Sequence, residues 1–231
     1  MQRIIFNMAG MHRHGTAFYD FLRLRKIFFV DQLGWDIPHD DDVEMDQYDN
    51  PQAWYVVVLD DDGEVVGGGR TMPNSARWGL HTFMLNDAVK GRLDSIPTSI
   101  MDGVRVASQV WEVTRLVISD ALGTHAERSE CLSLLLEGIE TLLLRHGGSE
   151  AISLSPVPMV RAMRSLGYDA ERRGEPYLCD DGRKYAVLGI PVRAHMRPGA
   201  SIGSSAGAVA AARRAPTHRP QPTMVHAPQK D

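Results

Sequence analysis

The chain has 231 residues, 43% of them hydrophobic, with 25 Lys or Arg against 29 Asp or Glu and a formal net charge of −4. That length and apolar content suit one sizeable core with an appendage better than two domains, and an acidic fold argues against a protein that works by neutralising nucleic-acid phosphates. There is no run of 18 or more apolar residues, and no charged start leading into an apolar stretch and a cleavage site. No membrane span is therefore expected, and the cytoplasm is the expected compartment.

Residues 1–7 read as a short strand and 16–32 as a helix, followed by a polar, acidic loop over 34–50 with Pro38 as a breaker. Residues 53–59 and 64–71 read as strands joined by Asp60-Asp61-Asp62-Gly63, whose Asp-Gly step favours a hairpin. The triplet Gly67-Gly68-Gly69 has no helix after it and so is not a phosphate cradle; it lets a neighbouring chain or a ligand approach the strand closely. Residues 111–119 form the next strand. A long helix over 127–146 carries Leu132, Leu135, Leu136, Ile139, Leu142 and Leu143 on one side and ends at Gly147-Gly148. A buried strand over 151–154, a helix over 158–166 and a strand over 184–190 follow. This alternation predicts an α/β fold, a three-layer α/β/α sandwich on a mixed sheet, over residues 1–195. Residues 196–231 carry five bases against one acid and are rich in Pro, Ala and Gly. They are expected to form a disordered basic tail. Cys131 and Cys179 stand in no metal or redox spacing and read as free thiols.

On the first helix, Phe18, Leu22, Arg25 and Phe29 share one stripe, so Arg25 interrupts an apolar face. A buried guanidinium needs acceptors to offset its desolvation, supplied either by a protein carboxylate such as Asp46 or Asp49 or by a ligand. Trp35 follows between the helix and the acidic segment 44–49.

Farther on stand Arg70 after the glycine triplet, Phe83, and the pair Glu112 and Arg115 in Trp111-Glu112-Val113-Thr114-Arg115. The order and spacing of Arg25, Phe29, Trp35, Asp46, Asp49, Arg70, Phe83, Glu112 and Arg115 resemble those of the LuxI family of acyl-homoserine lactone synthases over residues 1–193. The resemblance implies the fold of the GCN5-related N-acetyltransferases, a twisted sheet with a cleft between diverging strands. Acetyltransferases that use acetyl-CoA carry a Gln/Arg-x-x-Gly-x-Gly/Ala loop after the central strand. Here Leu-Val-Ile-Ser-Asp-Ala-Leu-Gly follows Arg115, which favours a different acyl carrier.

The chemistry implied by the resemblance joins an acyl chain, carried by acyl carrier protein or coenzyme A, to the amine of S-adenosylmethionine. The methionine carboxylate then closes a lactone and expels 5′-methylthioadenosine, giving a quorum-sensing signal. S-adenosylmethionine is a substrate, and no cofactor, metal or nucleic-acid partner is implied. Glu112 is the candidate base, which requires a raised pKa, a water relay or strong orientation, and Arg115 is its catalytic companion. Arg25, Asp46, Asp49, Arg70 and Arg115 form a polar set for the substrate's charges or a mutual ion-pair network. Phe29 and Trp35 offer faces to the sulfonium or adenine. Phe83 is acyl contact or core. Ser155 either bonds a 3-oxo group or caps the helix that begins near Pro158. Val117, Leu154, Met159 and Met163 either line an acyl tunnel or simply fill the core.

In a regular strand Glu112 and Arg115 point to opposite sides. If both serve one cleft, a β-bulge or a splayed strand end is expected between them, whereas regular pairing through Val113 and Thr114 would take one of the pair out of the site. Competing readings are an ordinary N-acetyltransferase and a noncatalytic cation-binding module built on the acidic loop. A nucleic-acid protein working through its basic tail is the third.

Overall fold

A computed structural model of the chain describes residues 1–101 and 106–193; the expected basic tail lies outside the described residues. The strands are β1 (Gln2–Asn7), β2 (Trp54–Leu59), β3 (Val65–Pro73), β4 (Val110–Ile118), β5 (Glu150–Pro156), β6 (Glu171–Arg172), β7 (Tyr177–Leu178) and β8 (Lys184–Pro191). They form one sheet in the order β1-β2-β3-β4-β5-β8-β6, with β7 also pairing β8. All pairings are antiparallel except β4 with β5, which is parallel. The helices are α1 (Ala17–Arg25), α2 (Met84–Val89), α3 (His125–Arg145) and α4 (Met159–Ser165).

The apolar run of β2 explains the layering. Tyr55 and Val57 belong to a core with Phe21, Leu24 and Phe29 of the first helical region and Phe83 and Leu85 at α2. Val56 and Val58 belong to a second core with Leu135, Leu136, Ile139, Leu142 and Leu143 of α3 and Met163 of α4. A strand buried on both faces reads as continuous hydrophobicity, and helices cover both sides. α3 begins with a capping box in which the Thr124 side chain accepts from the Glu127 N–H and the Glu127 carboxylate accepts from the Thr124 N–H.

The hairpin between β2 and β3 turns at Gly63, with φ +88°, while Asp60 Oδ1 accepts from the Asp62 and Glu64 amides. The glycine triplet serves packing: a Cβ on Gly68 would overlap the Phe21 ring, and one on Gly67 would fall 2.5 Å from Cys131 Sγ. Two helical layers thus press on a strand stripped of side chains. Gly68→Ala is expected to destabilise the fold by roughly 1–3 kcal/mol through overpacking, read as a lower melting temperature.

Two elements depart from the sequence reading. The expected single helix over 16–32 changes winding after Arg25, and Lys26–Gln32 is a π-helix, with Leu33 N–H donating to Phe28 C=O at 3.1 Å. Helix α2 was not anticipated at all. Among the described residues no helix is long and apolar enough to cross a membrane.

Candidate active site

The site forms where the sheet divides. β4 and β5 pair from Val110↔Glu150 to Val113↔Ser153 and then part, although β4 continues to Ile118 and β5 to Pro156. The splayed end anticipated from sequence is therefore present, and the edges beyond Val113 and Ser153 carry backbone groups with no partner across the gap.

The bulge expected between Glu112 and Arg115 does not lie there, and the regular pairing that was expected to take one of them out of the site is found. A bulge at Arg115 itself removes that consequence. Pairing of β3 with β4 is regular through Val113 and Thr114, and the register then shifts between Arg70↔Thr114 and Gly68↔Val117, so that Gly69 faces both Arg115 and Leu116. Arg115 itself is the irregular residue, at φ +53°, the one non-glycine with positive φ among the described residues. Its effect is visible in the packing. Trp111 and Val113 join the α3-side core, as do Leu116 and Ile118 after the bulge, while Val117 joins the core on the α1 side with Val110. The alternation has been inverted, and Arg115 swings to the face of Glu112 and Thr114.

On that face three arginines interlock with three carboxylates. Arg25 donates through Nε to Glu44 Oε2 at 2.6 Å and through Nη1 and Nη2 to the two oxygens of Asp49, both at 2.9 Å. Arg70 grips both oxygens of Asp46, reaches Asp49 Oδ2 at 2.9 Å and donates Nε–H to Thr114 Oγ1 at 3.0 Å. Arg115 pairs with Glu44 through Nε at 3.1 Å and with Asp46 through Nη2 at 2.8 Å. Tyr55 donates its hydroxyl to Asp49. Burial alone would raise the Asp49 carboxyl, but the guanidiniums of Arg70 and Arg25 hold it well below the usual carboxylate range. The acidic loop is thereby tied to α1, β3 and β4. The mutual-network alternative describes Arg25, Arg70, Asp46 and Asp49, and Asp46 serves Arg70 and Arg115, not Arg25. Glu44 was missed as a member of this set. Counting charges would have found it, since three buried arginines call for three acids.

Glu112 lies beside this network, 1% exposed. Its two carboxylate oxygens accept from the first amides of α2, Met84 N–H at 2.8 Å and Leu85 N–H at 2.7 Å. Burial pushes its carboxyl up to about 7, against the lowering by those amides and by Arg70. Helix α2 is held in turn through Asp87, which accepts from Tyr48 and Thr82 hydroxyls and from Arg92.

Phe29 lies between Arg115, whose guanidinium carbon is 5.4 Å from its ring centre, and Trp35, whose ring is 4.9 Å away. Trp35 donates Nε1–H to Asp181 Oδ2, which also accepts from Tyr185. Phe83 is fully buried at the start of α2 and belongs to the core. Ser155 does not cap a helix: its hydroxyl bonds that of Ser153 at 2.8 Å, and α4 has no side-chain cap.

On the opposite face, under α3 and α4, a narrow pocket opens beside the divided strands. It is lined by Val113 and Leu116 of β4, Ser153 of β5, Leu136 and Ile139 of α3, and Met163 of α4. Of the four residues considered for an acyl tunnel, only Met163 lines it; Val117 and Leu154 pack on the other side of the sheet, and Met159 packs against the same core as the pocket without lining it.

A sheet split between parallel strands, with a buried carboxyl held by two amides beside the split, offers room for an acyl group between the strands. The chain has a mixed-sheet α/β fold flanked by helices and is an acyltransferase. The autoinducer synthase family model matches residues 10–192, and the chain belongs to that family. It is 30% identical to an acyl-homoserine-lactone synthase of Ralstonia nicotianae over 186 residues, covering 77% of this chain and 86% of the relative. It is 26% identical to one from Acinetobacter nosocomialis over 167 residues, covering 69% and 84%. Among solved structures, TofI in a ternary complex with an inhibitor and MTA shares the fold at a TM-score of 0.66 and 24% identity, covering 84% of this chain and 93% of TofI. BjaI with SAM and isopentyl-CoA does so at 0.66 and 17%, covering 83% of each.

Proposed function

We propose that this protein makes an N-acyl-L-homoserine lactone from S-adenosyl-L-methionine and an acyl thioester in the cytoplasm, the thioester being carried by acyl carrier protein or coenzyme A. The observation that carries the reading is Glu112, buried, oriented by two amides and poised near pH 7 beside the divided strands. Glu112 takes a proton from the substrate's α-ammonium, directly or through one water. The freed amine forms a bond to the thioester carbonyl carbon, and the carbon–sulfur bond breaks to release the thiol. Backbone N–H groups on the unpaired ends of β4 and β5 are the donors to the oxygen that becomes negative. The methionine carboxylate then attacks its own γ-carbon, the bond to the sulfonium breaks, and neutral 5′-methylthioadenosine leaves.

The buried network divides the labour. Arg25, Arg70 and Asp49 have fully buried side chains engaged with one another, so their task is to hold the acidic loop. Arg115 is 9% exposed at the side chain and is the guanidinium of the set that a substrate carboxylate can reach. The half-buried Trp35 with Phe29 offers aromatic faces to the sulfonium, worth on the order of 0.5–2 kcal/mol. The acyl chain passes through the gap between β4 and β5 into the apolar pocket under α3.

Purified protein incubated with S-adenosylmethionine and a panel of acyl-carrier-protein and acyl-CoA thioesters is expected to yield methylthioadenosine and acylated lactone in equal amounts by mass spectrometry. Acylated amine without methylthioadenosine would mean an acyltransferase that never closes the ring. The preferred thioester identifies the carrier.

A further inference from the structure

The far end of the apolar pocket is not apolar. Tyr168 contributes to its wall and is 4% exposed, and its hydroxyl has no hydrogen-bond partner among the described residues. The residue is firmly placed. Its N–H donates to Met163 C=O, and the guanidinium of Arg193 lies 4.4 Å over its ring. Arg193 is in turn pinned by Glu140, whose two oxygens accept from the Arg193 backbone and side chain, so neither partner of that pair bonds the phenol. Burial pushes the phenol pKa upward, leaving a neutral O–H donor. An enclosed hydroxyl without an acceptor is costly, and a polar group entering the pocket that Tyr168 lines is one way to satisfy it.

Position within the pocket fixes which part of an acyl chain would meet it. The gap between β4 and β5 begins after Ser153, while Pro191, Val192 and Arg193 sit at the Glu150 end of β5, where Glu150 pairs with Pro191. At the rise of a strand, three residues separate the two ends by roughly 10 Å. A chain entering at the gap therefore presents its first carbons to Ser153 and its distal carbons to Tyr168.

We propose that the Tyr168 hydroxyl forms a distal polar subsite, and that the acyl thioesters preferred by this protein carry an oxygen, as hydroxyl, ether or carbonyl, far from the thioester carbon. The proposal rests on the lactone-synthase reading, with lactone formation from unsubstituted donors serving as its independent check. A pocket of aliphatic side chains alone gains nothing from such an oxygen; one buried donor converts it into a preference.

The test compares octanoyl, decanoyl and dodecanoyl thioesters with their ω-hydroxy counterparts, in the wild type and in Tyr168→Phe, with kcat/KM for lactone formation as the readout. At the chain length that reaches Tyr168, the wild type is expected to favour the hydroxylated donor by about tenfold, and Tyr168→Phe to reverse this in favour of the plain chain. Because the substitution removes only an unpartnered oxygen, the melting temperature is expected to stay equal or rise. Absence of any preference in the wild type, or a preference that survives in Tyr168→Phe, would overturn the subsite. So would a marked fall in melting temperature, which would show that the hydroxyl already has a partner within the fold. Lactone from the unsubstituted donors in either outcome keeps the proposed reaction standing separately.

Discussion

Replacing Glu112 with Gln is expected to lower kcat for lactone formation by a factor of about 10² to 10⁴, the range of a positioned general base. In the wild type the rate should climb as pH rises through about 7, where the carboxyl ionises, and level off above it. The residual rate of Glu112→Gln should lack that limb. A variant that keeps the same limb would place the titrating group elsewhere. The substitution also touches the fold, because one end of the amide is a donor facing the Met84 or Leu85 N–H, so the loss of one bond at α2 should cost about 1–3 kcal/mol. The pH dependence of stability has its own sign. The folded carboxyl lies above its unfolded value of about 4.3, so its contribution is complete at acid pH and is lost as pH rises through about 7. Between pH 5 and 7 the variant should show a flatter stability profile than the wild type.

Asp49→Ala should be the most destabilising single change at the site. Asp49 is 6% exposed and accepts from Arg25, Arg70, Tyr55 and the Asp46 amide. Its removal leaves Arg25 with Glu44 and Arg70 with Asp46, one positive charge in excess inside the protein, at a cost of about 3–5 kcal/mol. For a fold of this size that corresponds to a fall in melting temperature on the order of 10 °C. Asp49 has a depressed folded pKa, so its stabilisation is present above the unfolded value near 3.9 and is lost as pH falls below it. The wild type should therefore lose stability more steeply than Asp49→Ala on acidification. Equal melting temperatures for the two would mean that the network carries no net stabilisation.

Sequence revealed most of the sheet, because β2, β4, β5 and β8 are apolar enough on both faces to stand out from their polar connections. It revealed the arginines and acids for the opposite reason: charge in the middle of an apolar face needs an explanation. Helix α2 escaped because six residues give too short a window for periodicity, and its first amides are fixed by Glu112, a partner 27 and 28 positions away. The bulge was foreseen from the need to bring Glu112 and Arg115 together. Parity alone, though, requires one extra residue and does not say which, so the irregularity was expected before Arg115 and occurs at it. Ser155 stood out through the family resemblance alone; the structure adds Ser153, which lines the pocket and whose hydroxyl bonds that of Ser155.

The inverted alternation at Arg115 also constrains how the chain can change in length. A strand keeps count in twos, and β4 holds an odd extra residue on which everything downstream depends. Deleting Leu116 would restore an uninterrupted ladder with β3 and leave Val117 and Ile118 on the faces they occupy, yet it would turn Arg115 to the α3 side, away from Glu112. A compensating insertion elsewhere in β4 would restore the count without restoring the arginine. Single-residue gains and losses that a loop absorbs without effect are thus closed to this strand, and its length is as much a part of the site as its side chains.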